Sequence, residues 1–595
     1  MSISDFYIEQ EEARTKGLGF RLLPRLWPYF RKYTARTGIA AVMLTTSAVL
    51  GICAPLLIKH AIDADIPDGN LTGLFHTALI YLGLQVVINV FGYFQQFLLA
   101  WIGEHAIADL KSNLFNHMLR LPVSFFDHNP VGRLITRAES DADAIQQMFA
   151  QTAVTLARSI VMLVGMSVVM IVVNWKLFLV IILLFPFITL AFYLLQRQMR
   201  PIVLAIRRTV AEINNFLAET LRALPVVQVL NRQEYFTERY DEMGKRKFKW
   251  ELKEHWVWYW LWLIWDFGEV CGVVLALGIG GIWALKGAIT VGGLFLFYSY
   301  ISRFFMPIRN LSQQINLMQR AMASAERMLG ILDTAPEPAV TAGPQVLRFS
   351  RNVSFEDVDF AYTGHDLVLK SINLSIPRGE KVALVGETGS GKTSMAGLLL
   401  RFYEPGSGRI VLDGIDLRNI NRLELRRQVA FVPQEVILFP GTVLDNLRLF
   451  DESVTELQVH DAARRARMHE RILQLPQGYA TSLIERGINL SLGERQLLAF
   501  TRALVADPEI LILDEATSSV DPQTEHLIQE GLKELLFRRT AVIIAHRLAT
   551  IRMVDRIVVV HKGAIVQQGT HDELIAQEGY YRRLYRLQYL NQESA

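Results

Sequence analysis

Cysteine is nearly absent from this chain. Its 595 residues hold two, Cys53 and Cys271, each inside an apolar run. A disulfide framework therefore does not organise the fold, and cysteine usage says nothing about compartment. Net charge is nearly absent too. Sixty-one Lys and Arg stand against 58 Asp and Glu, a balance of +3. So small an excess gives no electrostatic case for a nucleic-acid partner. The first stretch, MSISDFYIEQEEARTKG, is polar and partly acidic and lacks the apolar core of a cleavable signal peptide, so export of the N-terminus is not expected.

Apolar residues, by contrast, make up 51% of the chain, and mean hydropathy is +0.24, which is unusual for a soluble protein of this length. They are unevenly placed. Long apolar runs fall before about residue 310, and ordinary soluble texture follows. A membrane-spanning helix needs about 20 mostly apolar residues. Six segments qualify: Gly38–Ile62, Leu74–Ile102, Phe149–Val173, Leu177–Gln196, Val257–Leu285 and Ile289–Ile308. Pro55 and Pro186 fall inside two of them, which membrane helices tolerate.

The connections alternate. Those after the first, third and fifth segments are short; the first carries Asp63, Asp65 and Asp68, and the second is little more than Asn174 and Trp175. The other two, Gly103–Met148 and Arg197–Trp256, are long and charged, and the latter is rich in Arg and Lys. Arg25, Arg31, Lys32 and Arg36 precede the first segment. The positive-inside rule places both termini and both long connections in the cytoplasm. Their helical periodicity, as in AEINNFLAETLRAL, predicts that the spans continue beyond the bilayer. RLLPRLWPYFRKY mixes basic and aromatic residues and suits a helix in the membrane interface, or a simple connector.

The expected division is an interfacial segment over 1–36, a six-helix membrane domain over 37–327, a linker over 328–350 and a soluble α/β domain over 351–595. The linker contains TAPEPAVTAGP, too rich in proline to pack a core.

In KVALVGETGSGKTSMAGLLLRF an apolar strand runs into Gly386, Glu387, Thr388, Gly389, Ser390, Gly391, Lys392 and Thr393, with a helical pattern behind. This is G-x-x-x-x-G-K-[ST] in its required strand–loop–helix context. Glycines let backbone N–H groups approach phosphates at the positive end of a helix. Lys392 is placed to reach the β- and γ-phosphates, and Thr393 to hold Mg²⁺. Further on, EILILDEATSSVD gives an apolar strand ending in Asp514 and Glu515. The first acid suits the Mg²⁺ partner of a P-loop. The second is positioned to accept a proton from an attacking water. A helix N-terminal acidic pair is the structural alternative.

Together these residues resemble the nucleotide-binding domain of ABC transporters over about Val353 to Tyr589, and the membrane half resembles the six-span domain of ABC exporters. The resemblance implies an ATP- and Mg²⁺-dependent translocase that works as a dimer of half-transporters. It implies that Tyr362, in FAYTG, stacks on adenine. Gln434, in VPQE, would touch Mg²⁺ and the attacking water, Asp521 would lie in the turn after the catalytic glutamate, and His546, in IIAHRLAT, would contact the γ-phosphate. The family's LSGGQ signature, which lies over the partner's ATP, is represented by Leu490, Ser491, Leu492, Gly493 and Glu494. Ser491 and Gly493 match; Leu492 adds a side chain where glycine permits close approach, and the Glu494 carboxylate is expected to repel phosphate.

An intact P-loop with a weakened signature implies a heterodimer with one degenerate ATP site, similar to MdlB-type multidrug-resistance-like pairs. The homodimer is the runner-up. FFDHNPVGRLITRAESDAD and LAETLRALPVVQVLNRQEYF resemble the two coupling regions that dock on the ATPase domains. Expected partners are a second half-transporter, the lipid bilayer of a bacterial cytoplasmic membrane, and a transported drug, lipid or peptide. Regulation or gating by the same fold is the competing function; a non-transporting ATPase is disfavoured by six spans. In the fifth segment, HWVWYWLWLIWDFGEVCG, Asp266 and Glu269 share one helix face. A carboxylate at the bilayer centre costs about 2.5–3.5 kcal/mol. Both are therefore expected to face the bundle interior, near Arg158 or Arg303, with Trp262 and Trp265 able to stack on a cation.

Overall fold

The computed structural model describes residues 22–337, 349–364, 366–484, 487, 489–514, 522–545 and 547–586. They form two compact units. One holds residues up to 119 together with 131–334, and the other holds 120–130 together with everything from 335 onward.

Among its described residues the first unit is built of helices joined by short turns. Among the described residues, four helical stretches are long and apolar enough to cross a membrane: Thr34–Asp65, Leu71–Met118, Val131–Arg222 and Gln233–Leu285. The third of these carries two predicted segments, because the chain leaves helical geometry at Asn174 (φ −162°, ψ 96°). Asn174 Oδ1 accepts from the amide of Leu177 there, so the side chain restarts the helix. The sixth segment lies on the helix Val291–Leu332, begun by the Thr290 hydroxyl accepting from Gly293 N–H. Leu71–Met118 has 48 residues, roughly 72 Å at 1.5 Å per residue. That is more than twice a hydrocarbon core of about 30 Å, so the helix is longer than one crossing needs.

Within this unit the helix Gln233–Leu285 packs through small residues. Gly268, Gly272, Ala276 and Gly280 are buried on one face. A Cβ at Gly268 would come within 2.6 Å of Ile188, and one at Gly280 within 2.8 Å of Leu294. Close helix approach of this kind is what holds membrane bundles together, since lipid supplies no hydrophobic drive between helices. Trp265 belongs to the packed face, against Phe192 and Phe305.

The second unit is built on a six-stranded sheet in the order β12-β11-β3-β10-β9-β6. Its strands are β3 (Lys381–Val385), β6 (Val429–Val432), β9 (Ile510–Asp514), β10 (Thr540–Ile544), β11 (Arg556–His561) and β12 (Ala564–Gly569). All neighbours are parallel except the β11–β12 pair. Beside it lies an antiparallel sheet, β2-β1-β4-β5, made of β1 (Asn352–Phe360), β2 (Leu369–Pro377), β4 (Ser407–Leu412) and β5 (Ile415–Asp416). A short pair joins β7 (Gly441–Thr442) to β8 (Ser482–Leu483).

The parallel strands read as unbroken apolar runs because both faces are covered. Alternate residues feed two cores. Ala383, Val385, Leu511 and Leu513 join Leu497, Phe500 and Leu535 from helices on one side. Val382, Leu384, Ile510 and Ile512 join Met395, Leu398 and the antiparallel sheet on the other.

The unit also includes the short helix Val123–His128, within the stretch 120–130 that interrupts the membrane unit in sequence.

Candidate active site

The parallel strands point their carboxyl ends the same way, and the P-loop, Gln434 and Asp514 follow from or end three of them. β3 runs into the P-loop, β6 is followed by Gln434, and β9 ends at Asp514. Register fixes their relation: Asp514 pairs with Ile544, and Ile544 with Leu384. Open α/β sheets bind ligands at this edge.

The P-loop needs its glycines. Gly389 and Gly391 sit at φ +81° and +106°, in the left-handed region that favours glycine. A Cβ on Gly386 would fall 2.1 Å from the Val560 carbonyl oxygen, so the loop can pass β11 only without one. Gly391 leads directly into the helix Lys392–Leu399, on whose first turn Thr393 is exposed. Glu387 and Thr388 are exposed on the loop, and Ser390 is buried beneath it.

Lys392 is 6% exposed. Its Nζ donates to the carbonyls of Gly386 and Glu387, both at 2.8 Å, and more distantly to Ser390 Oγ at 3.4 Å. Burial lowers its pKa below the ordinary lysine value, and the Asp514 carboxylate opposes that. A buried ammonium held by neutral acceptors is a ready partner for an anionic phosphate.

Tyr362 follows β1 and is 44% exposed. Its hydroxyl lies 2.9 Å from Ser394 Oγ, on the helix behind the P-loop, which ties the phosphate loop to an aromatic face. The oxygen donors expected for Mg²⁺ fit a hard cation: the Thr393 hydroxyl, the Asp514 carboxylate and the Gln434 amide oxygen. Thr393 and Gln434 are exposed and Asp514 is half-buried. Glu515, Asp521 and His546 lie outside the described residues.

The signature segment has a local explanation. Ser491 caps the helix Leu492–Ala506: its hydroxyl accepts from Glu494 N–H at 3.2 Å, while Glu494 Oε2 accepts from Ser491 N–H at 2.9 Å. This reciprocal pair is a capping box, which takes Glu or Gln alike at its third helical position. Arg471 Nε also lies 3.8 Å from Glu494. The carboxylate is thus turned onto its own helix and faces an arginine, which weakens the expectation of phosphate repulsion. Leu492 remains, 41% exposed at the first helical position.

A family model described as the ABC transporter transmembrane region matches residues 37–308, and one described as ABC transporter matches 369–518. An uncharacterized ABC transporter ATP-binding protein of Bacillus subtilis, YfiC, is 32% identical over 97% of this chain and 95% of its own length. The chain belongs to the ABC transporter family. An ATP-dependent lipid A-core flippase of Syntrophus aciditrophicus is also 32% identical, over 96% of this chain and 94% of its own. A flippase of that name from Salmonella typhimurium is 32% identical over 95% and 97%. This ABC chain is therefore an exporter-type half-transporter, with a membrane domain fused to an ATPase whose hydrolysis drives transport.

Sequence reasoning passed over Tyr403 and Asp127. Tyr403 O–H donates to Asp127 Oδ2 at 2.7 Å, joining positions 276 apart in sequence within the ATPase unit. No spacing signal could have paired them.

The carboxylates of the fifth segment also depart from expectation. Asp266 is exposed and Glu269 half-buried, because the small-residue stripe and Trp265 occupy the packed face. Arg158 is exposed, and Arg303 donates to the Gly51 carbonyl at 3.4 Å. Among the described residues no ion pair joins either arginine to Asp266 or Glu269.

Proposed function

We propose that this chain is one half of a heterodimeric exporter in a bacterial cytoplasmic membrane, with its ATPase unit cytoplasmic and one of the two ATP sites degenerate. ATP would bind on the P-loop Gly386–Thr393 with adenine on Tyr362. Lys392 would neutralise phosphate charge, and Thr393, Asp514 and Gln434 would hold Mg²⁺. The ion supplies charge neutralisation at the phosphates. Glu515 would take the proton of the attacking water, with Asp521 in the turn that follows it and His546 near the γ-phosphate. Ser491 and Gly493 would face the ATP held by the partner chain.

The observation that carries the two-chain reading is Leu492. A side chain at the first position of the helix Leu492–Ala506 obstructs the backbone approach that a facing phosphate requires. The defect falls on the site completed by the partner's P-loop, while this chain's own loop is fully built. A partner with a consensus signature would then complete the competent site. A second feature supports a partner. The short helix Leu224–Val229, in the second coupling region, leaves Leu224, Val226 and Val229 exposed at 40%, 58% and 80%. Apolar side chains clustered on a cytoplasmic turn suit docking on another chain. The test is the ATPase activity of the lone chain against that of the chain with its partner.

Drug, lipid and peptide remain the substrate classes, and the flippase relatives favour lipid. A positively charged substrate, or one with a cationic headgroup, has a specific observation behind it. Asp266 lines a groove of about 860 Å³ with Glu254, His255, Trp258, Tyr259 and Trp262. His255, Tyr259, Trp262 and Asp266 follow one helix face at i, i+4, i+7 and i+11. Aromatic faces beside carboxylates attract cations. In an Asp266→Asn/Glu269→Gln double variant that folds normally, transport of cationic compounds is expected to fall several-fold, with neutral ones unaffected. Unchanged selectivity would remove these carboxylates from the substrate path.

A further inference from the structure

A basic and aromatic cluster forms where the first two membrane helices meet, at the border that the charge pattern assigns to the cytoplasm. The first apolar segment begins at Gly38 and the second ends at Ile102, and the structure brings residues of both borders together. The Arg36 guanidinium lies over the Trp101 ring, 3.9 Å from its centroid. Trp101 stacks on His105 at 3.8 Å, and Tyr33 meets Trp101 edge to face at 5.6 Å. Indole and guanidinium groups both suit the headgroup level, where an apolar body borders a wet, charged layer. Further into the apolar segments the two helices leave large side chains uncovered. Ile39 and Val42 are 52% and 64% exposed on the first, and Phe94 and Phe97 are 52% and 60% exposed on the second.

The charges here leave two arginines over. Asp109 accepts from Lys32 at 3.0 Å and from the Tyr33 hydroxyl at 3.2 Å, and Glu104 accepts from Gln146 at 2.6 Å, so both acids of this part of the second helix are engaged. Arg25 pairs with Asp333. Arg31 and Arg36 are exposed, and among the described residues neither guanidinium has an ion pair or a hydrogen-bond acceptor. Arg36 spends only its flat face on Trp101, which leaves the N–H groups round its edge for an anion. Arg31 ends the short helix Leu23–Arg31, which is held to the bundle by buried Leu26 and by Phe30, whose ring lies 3.8 Å from Phe149.

We propose that Arg31 and Arg36 bind the phosphate of an anionic phospholipid, and that this lipid fastens the helix Leu23–Arg31 to the bundle. Its acyl chains lie along the uncovered faces of Ile39, Val42, Phe94 and Phe97. In the orientation proposed above the lipid belongs to the cytoplasmic leaflet, and only that placement rests on the orientation. A guanidinium offers a phosphate two parallel donors, and Trp101 fixes the plane in which Arg36 presents them. Anionic headgroups are drawn to basic residues at the membrane surface. A free phosphate meets the same two cations but gains nothing from the apolar faces. A zwitterionic lipid covers those faces but carries an ammonium that the arginines repel.

The experiment uses the assembled transporter in lipid nanodiscs and reads backbone hydrogen exchange over residues 22–37. Discs of phosphatidylcholine alone are compared with discs that also contain phosphatidylglycerol. A ligand that binds the docked helix holds it closed in proportion to occupancy, so phosphatidylglycerol should slow wild-type exchange about threefold or more. In Arg31→Gln/Arg36→Gln the ratio between the two discs should fall to one. Arg25→Gln removes an arginine that is already paired on the same helix, and should keep the wild-type ratio. Inorganic phosphate added to phosphatidylcholine discs should change nothing. The readout does not depend on which leaflet is cytoplasmic, so this proposal and the proposed orientation stand or fall separately. Wild-type exchange indifferent to phosphatidylglycerol, slowing that survives in the double variant, or slowing lost equally in Arg25→Gln would overturn the proposal. Slowing by inorganic phosphate equal to that by lipid would make the ligand a free anion and overturn it too.

Discussion

Glu515→Gln is expected to leave ATP bound and to slow hydrolysis by about 10²-fold or more in the assembled transporter, the range for loss of a general base. The substitution keeps size and hydrogen-bonding reach but cannot take a proton at neutral pH. In sequence it follows Asp514, the last residue of β9, which is held in register with Ile544. Phosphate release and equilibrium ATP binding, measured on one preparation, check the expectation. Near wild-type hydrolysis would take the proton-accepting role away from Glu515.

Lys392→Ala acts on the preceding step. The ammonium makes its bonds to Gly386 and Glu387 carbonyls inside a buried loop. Truncation relieves the cost of burying that charge, so the ATPase unit should still fold. It also removes a charge-assisted partner of the phosphates. Hydrogen bonds to charged groups are worth about 1.5–3 kcal/mol, so ATP affinity should fall roughly tenfold to a hundredfold. The pH dependence has a definite sign. Burial holds the pKa of this lysine below its ordinary value, and bound phosphate would raise it again. ATP binding thus favours the protonated form, and affinity should decline as pH rises through the lowered pKa. In Lys392→Ala that part of the decline should vanish. Unchanged affinity in the variant would refute the assignment.

Much of this was legible from residue order alone. The P-loop is readable because a buried strand, a glycine loop and a helix leave separate signatures, and the structure has all three at Lys381–Leu399. The membrane segments are readable because hydrocarbon demands long apolar runs, and among the described residues five of the six predicted segments fall on four apolar helical stretches. Pairings across sequence are not readable. Asp127 and Tyr403 meet only because residues 120–130 belong to the ATPase unit, which hydropathy cannot express. The direction of Asp266 was missed for a related reason. Helix periodicity says that Asp266 and Glu269 share a face, but Gly268, Gly272 and Gly280 decide which face packs. At Glu494 the sequence held the answer. Ser491-x-x-Glu494 is a capping-box pattern, and a reading of charge alone overlooked that the carboxylate already had a local use.

The central claim is that this chain supplies one competent ATP site only when a different half-transporter completes it. The most direct measurement is ATP hydrolysis by the chain purified alone in lipid nanodiscs, beside the complex extracted with its natural partner. The account predicts slow, transport-independent hydrolysis for the lone chain and full turnover in a complex whose intact mass reveals two different subunits. A stable homodimer of this chain with brisk hydrolysis that drives transport would contradict it.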